Sequence, residues 1–265
     1  MSSDFRFSIF DFRLARTKAG CSIENRKSKI QNPSCRLVLA SASPQRKQIL
    51  AEAGYAFEVA DPGDIEDAIG AASLPEELVA AKARAKAAHV AAALSLPYPA
   101  VAIGADTIVA AGDEIVGKPM DRGEAVSILT RLSGTRHRVI SGLCLWPVTQ
   151  RMKDESGRMN AGVMRPAFIH GEKSFILHPS TGVATTWVQM RRMSAEQIQA
   201  YVASGESDGK AGAYAIQEGG DRFVESLEGS FLNVVGFPLE LFEELLPAAL
   251  REWGFDSPGA AWNRK

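Results

Sequence analysis

Three observations predict an α/β fold built on a mixed rather than purely parallel sheet. Short apolar runs of strand length alternate with helical stretches along the whole chain. One pair of runs is joined by a two-residue hairpin signal, Gly112-Asp113, which requires antiparallel neighbours. A third pattern, strand followed directly by a Ser-Pro turn and a helix, opens the ordered part of the chain. With 265 residues and 46% hydrophobic content a sizeable core is available, and 30 Lys plus Arg against 31 Asp plus Glu exclude charge-driven disorder. That balance also leaves no overall attraction to nucleic acid or to an anionic membrane.

The elements follow in order. Arg36 to Ala40 reads as a buried strand; Ser43 stands at the N-cap, Pro44 at the first helical position and Gly54 at the stop of the helix that follows. A strand is expected around Tyr55 to Ala60, then the acidic loop Asp61 to Asp67. Pro75-Glu76-Glu77 opens a long alanine-rich helix that ends near Leu96-Pro97. Val101 to Val109 is an apolar strand that returns through the hairpin as Glu114-Ile115-Val116. Asp121 and Glu124 resemble a capping box for a helix that stops at Ser133-Gly134. The strand Arg138 to Trp146 precedes residues 147–183, rich in Gly, Met, Ser and Pro, which read as an inserted loop or hairpin. Thr185 to Met190 alternates like a half-buried strand, and Ser194 with Gln197 caps a helix ending at Gly205. Short strands are expected near Tyr214-Ala215-Ile216 and Phe223-Val224. Asn233 to Pro238 then opens a final amphipathic helix carrying Leu239, Leu241, Phe242, Leu245 and Leu246.

The ends of the chain differ from its middle. Residues 1–34 carry seven Lys/Arg against three Asp/Glu and no sustained period, and are read as a flexible N-terminal extension. Residues 35–250 form the expected folded domain, and 251–265 a C-terminal tail. No stretch approaches the ~18–20 apolar residues of a membrane span, and no secretory signal is visible, so the expected location is cytoplasmic. The cysteines Cys21, Cys35 and Cys144 have no metal or redox spacing and read as free thiols.

Chemistry is suggested where strands end and helices begin. Ser41 and Ser43 flank a helix N-terminus that has Arg46 and Lys47 in its first turn. Cations normally disfavour that end of a helix, so the pattern suits either a bound phosphate or a solvated turn with Arg46 paired to a carboxylate. Asp106 interrupts the apolar run Ala100 to Ala111 in mid-strand, where its burial demands a cation, a metal or a bound water as partner; Lys118, across the hairpin, is one candidate. Lys82, Arg84 and Lys86 read first as a solvated helix face, although cations set among alanines can also reach a cleft. The acidic loop Asp61, Asp64, Glu66, Asp67 offers oxygen donors to a hard divalent ion. Lys210 to Gln217 combines glycines, a cation, a tyrosine and an amide that can face a base edge.

Taken together, Ser41-Ala42-Ser43-Pro44-Gln45-Arg46, Gly104-Ala105-Asp106-Thr107, Gly117-Lys118-Pro119, Tyr201 to Glu206, Lys210 to Gln217 and Asn233 to Pro238 resemble the Maf family of nucleoside triphosphate pyrophosphatases over about Leu37 to Leu246. The resemblance implies an elongated mixed sheet flanked by helices, with two lobes and a central cleft. It implies hydrolysis of a nucleoside triphosphate to monophosphate and pyrophosphate with a divalent cation, Mg or Mn. Asp106 falls at the family's catalytic acidic position, and Arg46, Lys82 and Lys118 at positions that hold the phosphates; Ser41 and Ser43, from the turn before the first helix, are expected to join them in binding the substrate. Gln45, Thr107 and Gln217 fall at positions tracking substrate choice, and the last two match the dTTP/UTP branch, with modified pyrimidine nucleotides as further candidates. Two departures stand out: Gln45 replaces the usual Arg after the Pro, and Ile65-Glu66-Asp67 ends in Asp where the family commonly has Glu, so metal ligands are unassigned. The alternatives are a 7-methyl-GTP-type pyrophosphatase and a nucleotide-binding regulator of cell division with little catalysis. The expected partner is a nucleoside triphosphate, with a homodimer as candidate assembly and neither nucleic acid nor membrane involved.

Overall fold

The structure, a computed structural model, describes residues 35–63, 65, 74–96, 98–149 and 177–255. The expected extension 1–34, Asp64, Glu66 and Asp67 of the acidic loop, the centre of the insert and the last ten residues lie outside these.

Strand β1 (Arg36–Ala40) pairs in parallel with β2 (Glu58–Ala60) on one side and with β3 (Ala100–Ala111) on the other. From β3 onward every pairing is antiparallel: to the short β4 (Glu114–Val116), to β5 (Arg136–Val148), then β5 to β6 (Ser180–Met190) and β6 to β7 (Val224–Glu228). The sheet order is β2-β1-β3-β5-β6-β7 with β4 on β3, so it is mixed as the hairpin signal required. Gly112, at φ 62°, makes the tight reversal between β3 and β4 possible.

Among the described residues six α-helices flank the sheet: α1 (Pro44–Glu52), α2 (Pro75–Ala93), α3 (Arg122–Leu132), α4 (Ala195–Ser204), the short α5 (Phe231–Val235) and α6 (Leu239–Trp253). Ser194 and Gln197 form both halves of the expected capping box on α4. On α3 the box is displaced: Asp121 accepts from the Glu124 amide at 2.8 Å, but the Glu124 carboxylate takes the Met120 amide rather than that of Asp121. Helix α6 buries Leu239, Phe242, Leu246, Ala249, Leu250 and Trp253 against β1, β3 and α1 residues, at roughly 1.5–3 kcal/mol for each fully buried Leu or Phe.

Four expectations need correction. The insert is shorter than 147–183, because β5 runs through Val148 opposite Ala100 and β6 begins at Ser180 opposite Leu145; ladder hydrogen bonds claim both flanks. Tyr214-Ala215-Ile216 is not a strand: Gly212 and Ala213 both take positive φ (73° and 58°), and the Ala215 amide donates to the Tyr201 hydroxyl at 3.0 Å instead of to a ladder. The last helix starts at Leu239 after a separate α5, since Gly236 (φ 129°) and Pro238 break the path between them. It also continues past 250 to Trp253, whose ring is buried and whose indole N–H donates to the His178 carbonyl at 3.0 Å. Among the described residues no helix is long and apolar enough to cross a membrane. Cys35 and Cys144 are free, as expected, and buried; Cys21 lies outside the described residues.

Candidate active site

Helix α2 lies unusually close to the sheet, and two glycines allow it. A Cβ on Gly104 would sit 2.0 Å from the Ala83 carbonyl oxygen, and one on Gly142 would sit 2.2 Å from that of Val79. Asp106 is two residues beyond Gly104 on the same face of β3, and is paired in register with Gly142 of β5. The buried side of α2 repeats at Val79, Ala83, Lys86, Ala87 and Val90, so small side chains meet the glycines while Lys86 meets the carboxylate. Its Nζ donates to Asp106 Oδ1 at 2.7 Å, and both side chains are under 10% exposed. This corrects two expectations. Lys86 does not belong to a solvated face, and the ion-pair partner found for Asp106 is Lys86 of α2 rather than Lys118. Arg84 alone of the three points away, exposed, with its guanidinium 5.7 Å from the Trp146 ring.

Around this pair opens a cleft of about 820 Å³. All nine residues singled out from the sequence line it: Ser41, Ser43, Gln45, Arg46, Lys82, Asp106, Thr107, Lys118 and Gln217. So do Asp61 of the acidic loop, Lys86 of the alanine-rich helix, and Lys210 and Tyr214 of the Lys210–Gln217 segment. Five cationic side chains thus face two carboxylates in the lining, a local positive excess inside a chain whose net charge is −1. Such an excess in a concave, partly desolvated wall attracts a polyanion.

At one end of the cleft the N-terminus of α1 is left uncapped. Ser43 occupies the cap position, but its hydroxyl donates to Gln45 Oε1 at 3.1 Å rather than serving the helix amides. No acidic residue stands in the first turn, so the positive end of the helix faces the cleft without an internal counter-charge. Arg46 is also a structural tie. Its guanidinium donates to the carbonyls of Ala105 at 2.7 Å and Gly236 at 3.0 Å and to Ser41 Oγ at 3.1 Å, tying α1 to the strand next to Asp106 and to the α5–α6 link.

Thr107 joins the same knot. Its hydroxyl donates to the Gly236 carbonyl at 3.3 Å and shares a 2.8 Å hydrogen bond with Ser141, its register partner on β5. Ser141 could have been found from that pairing, given the strand assignment. At the other end, the Lys210–Gln217 segment is held from behind. Tyr214 Oη lies 2.9 Å from His137 Nε2, with both rings buried, and burial pushes the His137 pKa down to about 4, keeping the imidazole neutral at pH 7. Burial likewise raises the Tyr201 phenol to about 12, so the group that accepts the Ala215 amide stays un-ionised. Asn233 secures α5 by donating to Val139 O and Thr186 Oγ1, each at 3.0 Å.

A buried carboxylate held by a lysine, an uncapped helix end and a cationic wall can hold a polyphosphate and orient a water beside it. Comparison with known proteins agrees in outline. The profile of the Maf-like protein family matches residues 36–249. A dTTP/UTP pyrophosphatase of Alcanivorax borkumensis is 37% identical over 221 residues, covering 83% of this chain and 99% of that protein. One from Thermococcus gammatolerans is 38% identical over 220 residues, covering 83% and 97%. A human probable bifunctional dTTP/UTP pyrophosphatase/methyltransferase protein is 39% identical over 212 residues, which are 78% of this chain but 31% of the human one. Matched by the family profile across its whole described sheet, and similar to full-length relatives from bacteria and an archaeon, the chain belongs to the Maf family.

Proposed function

We propose that this protein is a nucleoside triphosphate pyrophosphatase acting on dTTP and UTP, and on modified pyrimidine nucleotides of similar shape, releasing the monophosphate and pyrophosphate. The observation that carries the reading is the buried Asp106–Lys86 pair in the wall of a cleft with excess positive charge. Asp106 accepts a proton from a water that attacks the α-phosphorus, and the bond from that phosphorus to the bridging oxygen of the leaving pyrophosphate breaks. Lys86 holds the carboxylate in place and aims it. Lys82 and Lys118, with the Ser41 and Ser43 hydroxyls and the positive end of α1, hold the phosphates, and Arg46 adds charge while fixing the wall. Gln217 presents its amide to the base, and Gln45 and Thr107 shape the neighbouring wall.

A hard divalent cation, Mg or Mn, fits the donor set. Asp61 and Asp106 both line the cleft and offer only oxygen, and among the described residues no group of three His, Cys, Asp or Glu is placed to hold a metal by itself. A cation held by Asp61 together with substrate phosphate oxygens, beside Asp106, would neutralise charge on the leaving pyrophosphate.

The test is a panel of dTTP, UTP, CTP, 7-methyl-GTP and modified pyrimidine nucleotides with kcat/KM measured for each. Preference for dTTP and UTP supports the reading; dominance of 7-methyl-GTP overturns the assignment of Thr107 and Gln217. Tight nucleotide binding with no turnover of any member overturns the enzymatic reading.

A further inference from the structure

Outside the cleft, and sharing none of its lining residues, lies a second cavity of about 230 Å³ formed by Arg191, Arg192, Gln197, Ala200, Arg222 and Phe223. Three of its six lining residues are arginines. Among the described residues, none of the three forms an ion pair with a carboxylate, although arginines elsewhere on the surface do so repeatedly. The nearest acidic neighbours in sequence are Glu196 and Asp221. Glu196 is hydrogen-bonded to the Ser194 side chain, which lowers its pKa.

Arg191 and Arg222 are anchored beside the cavity, Arg192 is fixed at its stem, and all three are solvent-exposed residues. The Arg191 main chain donates to Phe223 O at 2.7 Å and accepts from the Gly134 amide at 3.0 Å, while its Nε donates to Val224 O at 3.2 Å. The Arg192 stem packs where a Cβ on Gly134 would be, 2.8 Å from that position, so a glycine at 134 is what leaves room for it. The Arg222 guanidinium lies 4.7 Å from the Phe223 ring centre and 5.6 Å from that of Tyr201. Gln197 spends its Oε1 on the Ser194 amide in the capping box, which leaves the NH2 end of its amide as the group able to donate outward. The wall is therefore rich in donors and positive charge, and contributes no carboxylate.

We propose that this cavity is a second anion site that binds a small phosphate oxyanion of the pyrophosphate or orthophosphate class, separate from the nucleotide cleft. Planar guanidinium forks match phosphate oxygens two at a time, and the anchored Arg191 and Arg222 lose less freedom on binding than free side chains would. Pyrophosphate is the probe of choice because the proposed reaction releases it, and to that extent the inference rests on the functional reading.

The experiment uses the full chain with its cleft saturated by a non-hydrolysable UTP analogue in the absence of metal, and titrates inorganic pyrophosphate by calorimetry. The expected result is one remaining pyrophosphate site, weakened at least tenfold in Arg192→Gln and lost in the Arg192→Gln/Arg222→Gln double variant, with analogue affinity unchanged. Orthophosphate and UMP are titrated alongside: competition by orthophosphate assigns the site to free phosphate oxyanions, and exclusive binding of UMP overturns that class. No pyrophosphate binding with the cleft filled, or binding indifferent to Arg192→Gln, overturns the site. If the double variant is unfolded by circular dichroism, the single exposed Arg192→Gln change decides alone. Failure of the functional reading would show separately, as failure of the UTP analogue to bind.

Discussion

Replacing Gly104 by alanine should damage the active site without touching any residue that meets substrate. The added Cβ would stand 2.0 Å from Ala83 O, 2.8 Å from the Ala87 amide nitrogen and 2.9 Å from Ala87 Cβ, all parts of α2 that cannot rotate away. To restore an ordinary 3.4 Å separation from Ala83 O, the helix must withdraw by about 1.4 Å. A helix withdrawn as a body carries Lys86 with it and stretches the 2.7 Å contact to Asp106 toward ~4 Å, beyond hydrogen-bonding reach. Overpacking of this kind costs about 1–3 kcal/mol, which in a domain of this size lowers the melting temperature by roughly 2–12 °C. Misplacement of about 1 Å at the reacting centre costs on the order of 100-fold in turnover. The assays are thermal melting by circular dichroism and steady-state pyrophosphate release from UTP. A Gly104→Ala protein with wild-type melting temperature and turnover would refute the argument that close helix–sheet approach places Lys86.

Other substitutions probe the remaining links. Lys86→Met leaves a buried carboxylate without its cation and should cost about 3–5 kcal/mol in urea unfolding, with much of the loss recovered in Lys86→Met/Asp106→Leu, which removes both charges. Asp106→Asn should keep the fold by circular dichroism and lose about 100- to 10,000-fold in kcat, the usual contribution of a positioned base. His137, neutral and buried with its pKa depressed to about 4, binds its proton in the unfolded chain well before the folded one as pH falls. Its contribution is present above the unfolded value of about 6.5 and is lost as pH drops toward 4, amounting to about 3 kcal/mol. Unfolding curves of His137→Gln should therefore fall less steeply over that interval than those of the wild type; parallel curves would contradict the buried neutral imidazole.

What the sequence displayed were features with local causes. The Gly112-Asp113 reversal, the Ser194/Gln197 cap and the apolar run containing Asp106 each lie within a few residues and obey rules of turn, cap and period. The nine residues singled out, most of them through the resemblance of the motifs to one family, all line one cleft. Hidden from the sequence were the contacts made across the chain. Lys86 and Lys82 share a helix face, yet only the approach permitted by Gly104 and Gly142 decides that Lys86 is buried on Asp106, and glycines in strands advertise no particular neighbour. The ties of Arg46 to the carbonyls of Ala105 and Gly236, 59 and 190 residues away, cannot be seen from position 46. Tyr214 to Ile216 imitated a strand by composition, while left-handed backbone at Gly212 and Ala213 and the Tyr201 hydroxyl turned it into the wall of the cleft.

The central claim is that Asp106 directs water to the α-phosphorus of a pyrimidine nucleoside triphosphate. Phosphorus-31 nuclear magnetic resonance of UTP incubated with the protein and Mg tests it most directly. The account predicts UMP and pyrophosphate as the initial products, with both signals absent when Asp106→Asn is used at equal concentration. Appearance of UDP and orthophosphate, or undiminished pyrophosphate from Asp106→Asn, would contradict it.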